Sequence, residues 1–119
     1  MNLQETIEAA WLDRQLLHQV EVQNAIAAVI AQLDAGTLRV AEPVADGWQV
    51  NDWVKKAVIL YFPIRKMEVM NVGPFEFHDK MALKSNYADK NVRVVPHAVA
   101  RYGAYLAPGV ILMPSYVNI

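Results

Sequence analysis

From Asn2 to Gly36 the apolar positions fall at helical intervals. Leu3, Ile7 and Trp11 follow one another at steps of four, and Asn2 with Glu5 three residues later has the spacing of a capping box, so a short helix is predicted to begin at Asn2. A second series, Val22, Ile26, Val29, Ile30 and Leu33, repeats at three and four. It ends at Asp34-Ala35-Gly36, where Gly36 can take the left-handed position that closes helices. The two series together predict a helical hairpin. His18 falls between them without a ligand-like neighbour and reads as a surface or packing residue.

Beyond Gly36 the period shortens. Leu38 and Val40 alternate, as do Trp48 and Val50, and the two pairs flank Pro43 and Asp46-Gly47. This predicts two short strands joined by a turn. Asn51 is placed to cap a helix from Asp52 to about Phe62, with Trp53, Ala57 and Tyr61 on one face, although Val58 to Phe62 could equally be a buried strand. Lys55 and Lys56 fall on the polar side and read as a solvated face. Pro63 to Asn91 carries little periodicity and holds Gly73-Pro74, Asn86 and Asp89, so loops with short ordered pieces are expected there. Phe75 to Asp79 could form an edge strand. His78 and Asp79 are adjacent, and neighbours on a strand point to opposite faces, which makes them a poor acid–base pair.

After Arg93 the period becomes six. Val94, Ala100, Leu106 and Leu112 recur at that interval, accompanied four residues on by Ala98, Ala104, Val110 and Tyr116. Two residues beyond the first series stand Pro96, Tyr102, Pro108 and Pro114, so a residue with restricted φ returns at three of four equivalent places. Short strands alternating with corners are the consequence. Hexapeptide periodicity of this kind marks parallel β-helices, whose units bury their apolar edge only by stacking on further units. Four units make little more than one three-sided coil, so the solenoid is expected to be unfinished at Ile119, with an apolar edge exposed over Val110 to Ile119 that favours association.

Composition narrows the classes. With 119 residues, 55% of them hydrophobic and 19% charged, the chain has material for one compact unit and the beginning of another. Eleven basic against twelve acidic residues give a net charge of −1, which removes the broad attraction that nucleic-acid and anionic-membrane binders show. No nucleic-acid partner is expected. Cysteine is absent, which excludes disulfides, thiolate metal sites and cysteine nucleophiles; no metal site is expected. Glu5 and Glu8 stand where a secretory leader would be basic and then apolar, and the Ala57–Phe62 run is far below the roughly 18 residues a spanning helix needs. A cytoplasmic protein without a membrane partner is the resulting expectation.

Arg93-Val94-Val95-Pro96, Ala100-Arg101-Tyr102-Gly103-Ala104-Tyr105 and Leu112-Met113-Pro114-Ser115-Tyr116-Val117-Asn118-Ile119 closely resemble the entrance to the left-handed β-helix of tetrahydrodipicolinate N-succinyltransferases. Ala35 to Glu42 and Trp53 to Val58 resemble that family's N-terminal domain, so the likeness runs almost from end to end. The resemblance implies an α+β fold: a mostly helical N-terminal domain over residues 1–91, then over 92–119 the first coil of a left-handed parallel β-helix, truncated. Handedness rests on the resemblance alone. It also implies a homotrimer of lysine and diaminopimelate biosynthesis that transfers succinyl from succinyl-CoA, a co-substrate, to a dicarboxylate amine, 2-amino-6-oxopimelate, with no tightly bound cofactor.

By the same resemblance the catalytic acids and the coenzyme A surfaces belong to coils beyond Ile119, so this chain carries no catalytic residue and is expected to be inactive alone. It can offer cations for the substrate's carboxylates. Arg93 is the first substrate-binding candidate, because a guanidinium can grip a carboxylate through two parallel hydrogen bonds. Arg101 is the second, and at a corner it fits a solvent-facing or inter-coil role as well. His97 stands where the pattern would place an apolar or small residue. A noncatalytic interaction module derived from such an enzyme is the alternative reading.

Overall fold

The computed structural model describes residues 1–119. Three helices, α1 (Leu3–Leu12), α2 (Val20–Ala35) and α3 (Asp52–Ile64), are combined with eight short strands, an α+β arrangement. A 3-10 turn, Arg14–His18, links α1 to α2. The capping box forms as the spacing predicts: the Glu5 amide donates to Asn2 Oδ1 at 2.8 Å and the Asn2 amide donates to Glu5 Oε2 at 3.2 Å. These bonds satisfy two amides that a helix start leaves orphaned. At the other end of the hairpin, Gly36 closes α2 with φ +78°. A Cβ there would also meet the Tyr105 ring at 2.5 Å, so the position needs glycine for space as well as for conformation.

Strands β1 (Ala41–Val44) and β2 (Gly47–Val50) form an antiparallel hairpin around the two-residue turn Ala45-Asp46. Leu38 and Val40, expected in the first strand, precede it and pack against the helical core instead. The ambiguous run Val58–Phe62 is helical, within α3. Pro63 falls in the last turn of α3, just before the Arg65 cap, so the helix runs past the expected Phe62. Asn51 does not cap α3 with its side chain. Its Nδ2 donates to the Arg39 carbonyl at 2.8 Å and to Glu42 Oε1 at 3.2 Å, so the amide is consumed in tying the root of the hairpin to the helix start.

Within the stretch expected to be loops with short ordered pieces lies a full antiparallel hairpin, β3 (Glu68–Val72) with β4 (Phe75–Asp79), turned at Gly73-Pro74; β4 is the segment read as a possible edge strand, and β3 is new. Its pairing places Met70, Val72, Phe75 and Phe77 on one face. The last four strands, β5 (Arg93–Val94), β6 (Val99–Ala100), β7 (Ile111–Leu112) and β8 (Tyr116–Val117), pair in parallel as β5 with β7 and β6 with β8. Val94 pairs with Leu112, its counterpart three hexapeptides on. Ala100, however, pairs with Val117, one residue before the position an unbroken period of six would reach. The slip arises because the corner between β5 and β6 holds residues 95–98 whereas that between β7 and β8 holds only 113–115. His97 lies in the longer corner, exposed.

Two separate clusters of buried side chains result. The larger is helical, built on Ile7, Ile26, Ile30, Val54 and Leu60, with Met81 added from the segment after β4. The smaller is Val92, Ala100 and Leu106 inside the strand coil. Tyr102 and Ile119 of the coil pack against the larger one.

Candidate functional site

Arg93 opens β5, and its backbone amide donates to the Val110 carbonyl at 3.0 Å, so the strand pairing fixes its Cα. Its side chain is exposed and makes no hydrogen bond or ion pair, which leaves the guanidinium available to a carboxylate. Arg101 is placed otherwise. Its Nη2 donates to Asp79 Oδ2 at 3.0 Å and its Nη1 to Asn118 Oδ1 at 3.1 Å, while the guanidinium lies 5.5 Å from the Phe62 ring centroid and 5.8 Å from that of Tyr116. Its Nε is buried without a partner. The amide of Lys80 donating to the Asp79 carboxylate, reinforced by the Arg101 charge and outweighing partial burial, holds Asp79 below the ordinary carboxylate range. Arg93 stands in β5, whereas Arg101 follows β6 in an isolated antiparallel bridge with Leu83, and the two share no partner.

The remaining sequence candidates stay apart from any site. His18 and His78 are exposed, and Asp79 faces Arg101 and not its neighbour His78. Lys55 is exposed. Lys56 pairs with Glu8 at 3.0 Å and with Asp52 at 3.4 Å, contacts that raise its pKa, the hydrogen bond to Glu8 most of all. No cluster of three or more metal-ligating side chains is assembled, and no helix is long and apolar enough to cross a membrane.

Two features escape sequence reading. An open cleft of about 500 Å³ lies between the β3–β4 hairpin and the strand coil, walled by Val72, Phe75, Phe77, Val94 and Val99 with His97 at its border. It is an apolar cleft, and the one lysine beside it, Lys84, is already committed elsewhere. Lys84 Nζ donates to Asp34 Oδ1 at 2.7 Å and to the Asp34 carbonyl at 3.0 Å, with its side chain wholly buried. No local signal marks this pair, because its members stand fifty residues apart.

Residues 2–64 match the model of the tetrahydrodipicolinate N-succinyltransferase N-terminal family, and the chain belongs to that family. Among similar proteins, one from Bordetella petrii named 2,3,4,5-tetrahydropyridine-2,6-dicarboxylate N-succinyltransferase is 48% identical over an alignment 129 positions long, covering 100% of this chain and 47% of the relative. Proteins of the same name from Leptothrix cholodnii and Cupriavidus pinatubonensis are 51% and 47% identical, each covering 98% of this chain and 46% of the relative. The chain thus spans about half the length of the curated relatives it matches. None of these three is named as a noncatalytic module.

Proposed function

We propose that this chain is the N-terminal part of a succinyl-CoA-dependent N-succinyltransferase acting on the open-chain 2-amino-6-oxopimelate form of tetrahydrodipicolinate, a step of lysine and diaminopimelate synthesis in the cytoplasm. The observation that carries the reading is the identity of 47 to 51% to enzymes of that name along essentially the whole chain. Residues 1–91 form the helical N-terminal domain and 92–119 the first coil of a left-handed β-helix, of a homotrimeric enzyme. Support for the coil comes from the parallel pairing of Val94 with Leu112 across three hexapeptides, since stacking at that interval is how such a helix grows.

Succinyl transfer joins an amine to a thioester carbonyl. It needs a base that keeps the amine neutral, donors for the developing oxyanion, and cations for the substrate's carboxylates. This chain supplies the last. Arg93 is the substrate-binding residue, its exposed guanidinium free to take a carboxylate through two parallel hydrogen bonds. Arg101 is the second, and there a substrate carboxylate would take the place of Asp79, which already occupies Nη2.

The test is release of coenzyme A from succinyl-CoA in the presence of 2-amino-6-oxopimelate. It is run on this chain alone and on this chain joined in frame to the remaining half of the Bordetella petrii relative. Transfer by the chimera and none by the chain alone is expected, with Arg93→Ala in the chimera raising KM for the amine by roughly tenfold or more, the loss of a charged hydrogen-bonded contact. Activity in the chain alone would overturn the absence of catalytic groups from these residues. A folded chimera without transfer would overturn the substrate assignment.

A further inference from the structure

The strand coil meets the helices at the carboxyl end of α2. Gly103, with φ +106°, lies so near that a Cβ would come within 3.1 Å of Ile30 Cγ2. Tyr105 lies on Gly36, and the Arg39 guanidinium sits 5.4 Å from the centre of the Tyr105 ring. In the middle of this contact stands Asp34. Its Oδ1 accepts from the Gly103 amide at 2.9 Å as well as from Lys84 Nζ at 2.7 Å, and Lys90 Nζ lies 3.7 Å from Oδ2. One carboxylate therefore joins three pieces of chain: the last turn of α2, the 84–90 loop that leads into β5, and the loop after β6.

A buried ammonium is strongly unfavourable unless it is paired, and Lys84 has no side-chain exposure and no acceptor other than the two oxygens of Asp34. Its position at the end of α2 adds the favourable field of the helix carboxyl terminus. The buried clusters on the two sides of the joint are distinct, one helical and one inside the coil. Apolar contact across the joint is made by single side chains, chiefly Tyr102, Tyr105 and Ile119. The Asp34 contacts thus lie between two distinct buried clusters.

We propose that the Asp34 carboxylate is the pin of a hinge: its charge, held between Lys84 and the Gly103 amide, keeps the strand coil docked on α2, and losing that charge releases the coil while both buried clusters persist. A change that only weakened the whole fold would loosen helices and coil together. The hinge loosens the coil first.

Amide hydrogen exchange on this chain, followed by mass spectrometry, separates the two. In Asp34→Asn the side chain keeps an oxygen for Gly103 but removes the charge that Lys84 requires. Exchange in residues 82–92 and 101–106 is expected to quicken by roughly tenfold or more while the protected amides of α1, α2 and α3 keep their wild-type rates, the signature of a local opening. Lys84→Met, which removes the buried ammonium and leaves the carboxylate with Lys90 and Gly103, should quicken 82–92 more than 101–106. Faster exchange in helices and coil alike, unchanged exchange at 101–106, or failure of both variants to fold would each overturn the hinge.

Discussion

Ile7, Ile26, Ile30 and Leu60, all on helices, are sealed from solvent, whereas Ile111, Met113 and Tyr116 on the strand coil are each more than half exposed. The two regions have similar apolar material and bury it differently. Three helices close a core among themselves, because each presents a stripe that two neighbours can cover. A two-residue strand covers only the strand stacked on it, so a coil seals its interior through repetition along the axis. In β7 and β8 the exposed Ile111 and Tyr116 alternate with Leu112 and Val117, which pack against the small cluster. Between the two regions the contact is made by single side chains, by the Asp34 carboxylate and by Arg101.

The largest effect that would break this contrast is a cavity. Ile26→Ala removes a side chain of 0% exposure from the helical core and should cost about 2–5 kcal/mol, lowering the urea midpoint followed by helical circular dichroism. Ile111→Ala, 58% exposed in β7, should stay within about 0.5 kcal/mol of wild type. Equal losses from the two substitutions would mean that the coil is already covered in solution, by association through the same edge.

A smaller effect sharpens the boundary between helices, hairpin and coil. Arg101 joins Asp79 at the end of β4 to Asn118 beside β8, and Asp79 titrates below its ordinary value of 3.8. A carboxylate with a depressed folded pKa contributes stability that is present above its unfolded pKa and lost as pH falls through the folded one. Asp34 acts in the same direction: burial alone would raise its pKa, but the hydrogen bonds from Lys84 and the Gly103 amide and the charges of Lys84 and Lys90 outweigh burial and lower it. Urea midpoints should therefore decline below about pH 4. In Arg101→Met, which should cost about 1–3 kcal/mol near neutrality through the charged hydrogen bonds it removes, that acid limb should become shallower without vanishing, because Asp34 and the Lys80 amide's bond to Asp79 remain. An unaltered limb would show that Arg101 does not control Asp79.

How much of this was legible beforehand depends on the range over which each signal acts. The spacing of Leu3, Ile7 and Val22 through Leu33 is local, and the helices that form match it. The period of six anticipates the pairing of Val94 with Leu112 but not the slip that pairs Ala100 with Val117, since the lengths of the two corners become comparable only once the strands are stacked. Strand β3 escaped because its alternation, Met70 and Val72 against Val69 and Asn71, is apolar on parts of both faces. The Lys84–Asp34 pair escaped for a different reason: a lysine in a polar loop carries no mark of burial until the chain brings α2 to it. The pairing of Arg101 with Asp79, twenty-two residues away, was hidden for the same reason.

The finest test of the contrast sets two asparagines against each other. Asn2 and Asn51 both precede helices and both suit a cap, yet only Asn2 acts as one, its Oδ1 accepting from the Glu5 amide at 2.8 Å. At Asn51, Oδ1 accepts from Gln49 Nε2 at 3.0 Å and not from the helix, while Nδ2 donates to Arg39 O and Glu42 Oε1. Aspartate keeps the accepting oxygen and lacks the donating nitrogen. Asn2→Asp gives up the exposed 3.3 Å bond from Nδ2 to Glu5 Oε1 but adds a charge that the helix amino terminus favours, so it should remain within about 0.5 kcal/mol of wild type, both residues being good caps. Asn51→Asp removes two donated bonds and sets a second carboxylate beside Glu42, so it should cost about 1 kcal/mol and be felt in the hairpin before the helix. Hydrogen exchange would read this as faster amides in β1 and β2 with those of α3 beyond its first turn unchanged. An unaffected hairpin would instead mean that the Nδ2 bonds do not hold it, the result expected if Asn51 serves the helix as a cap, a role aspartate fills equally well.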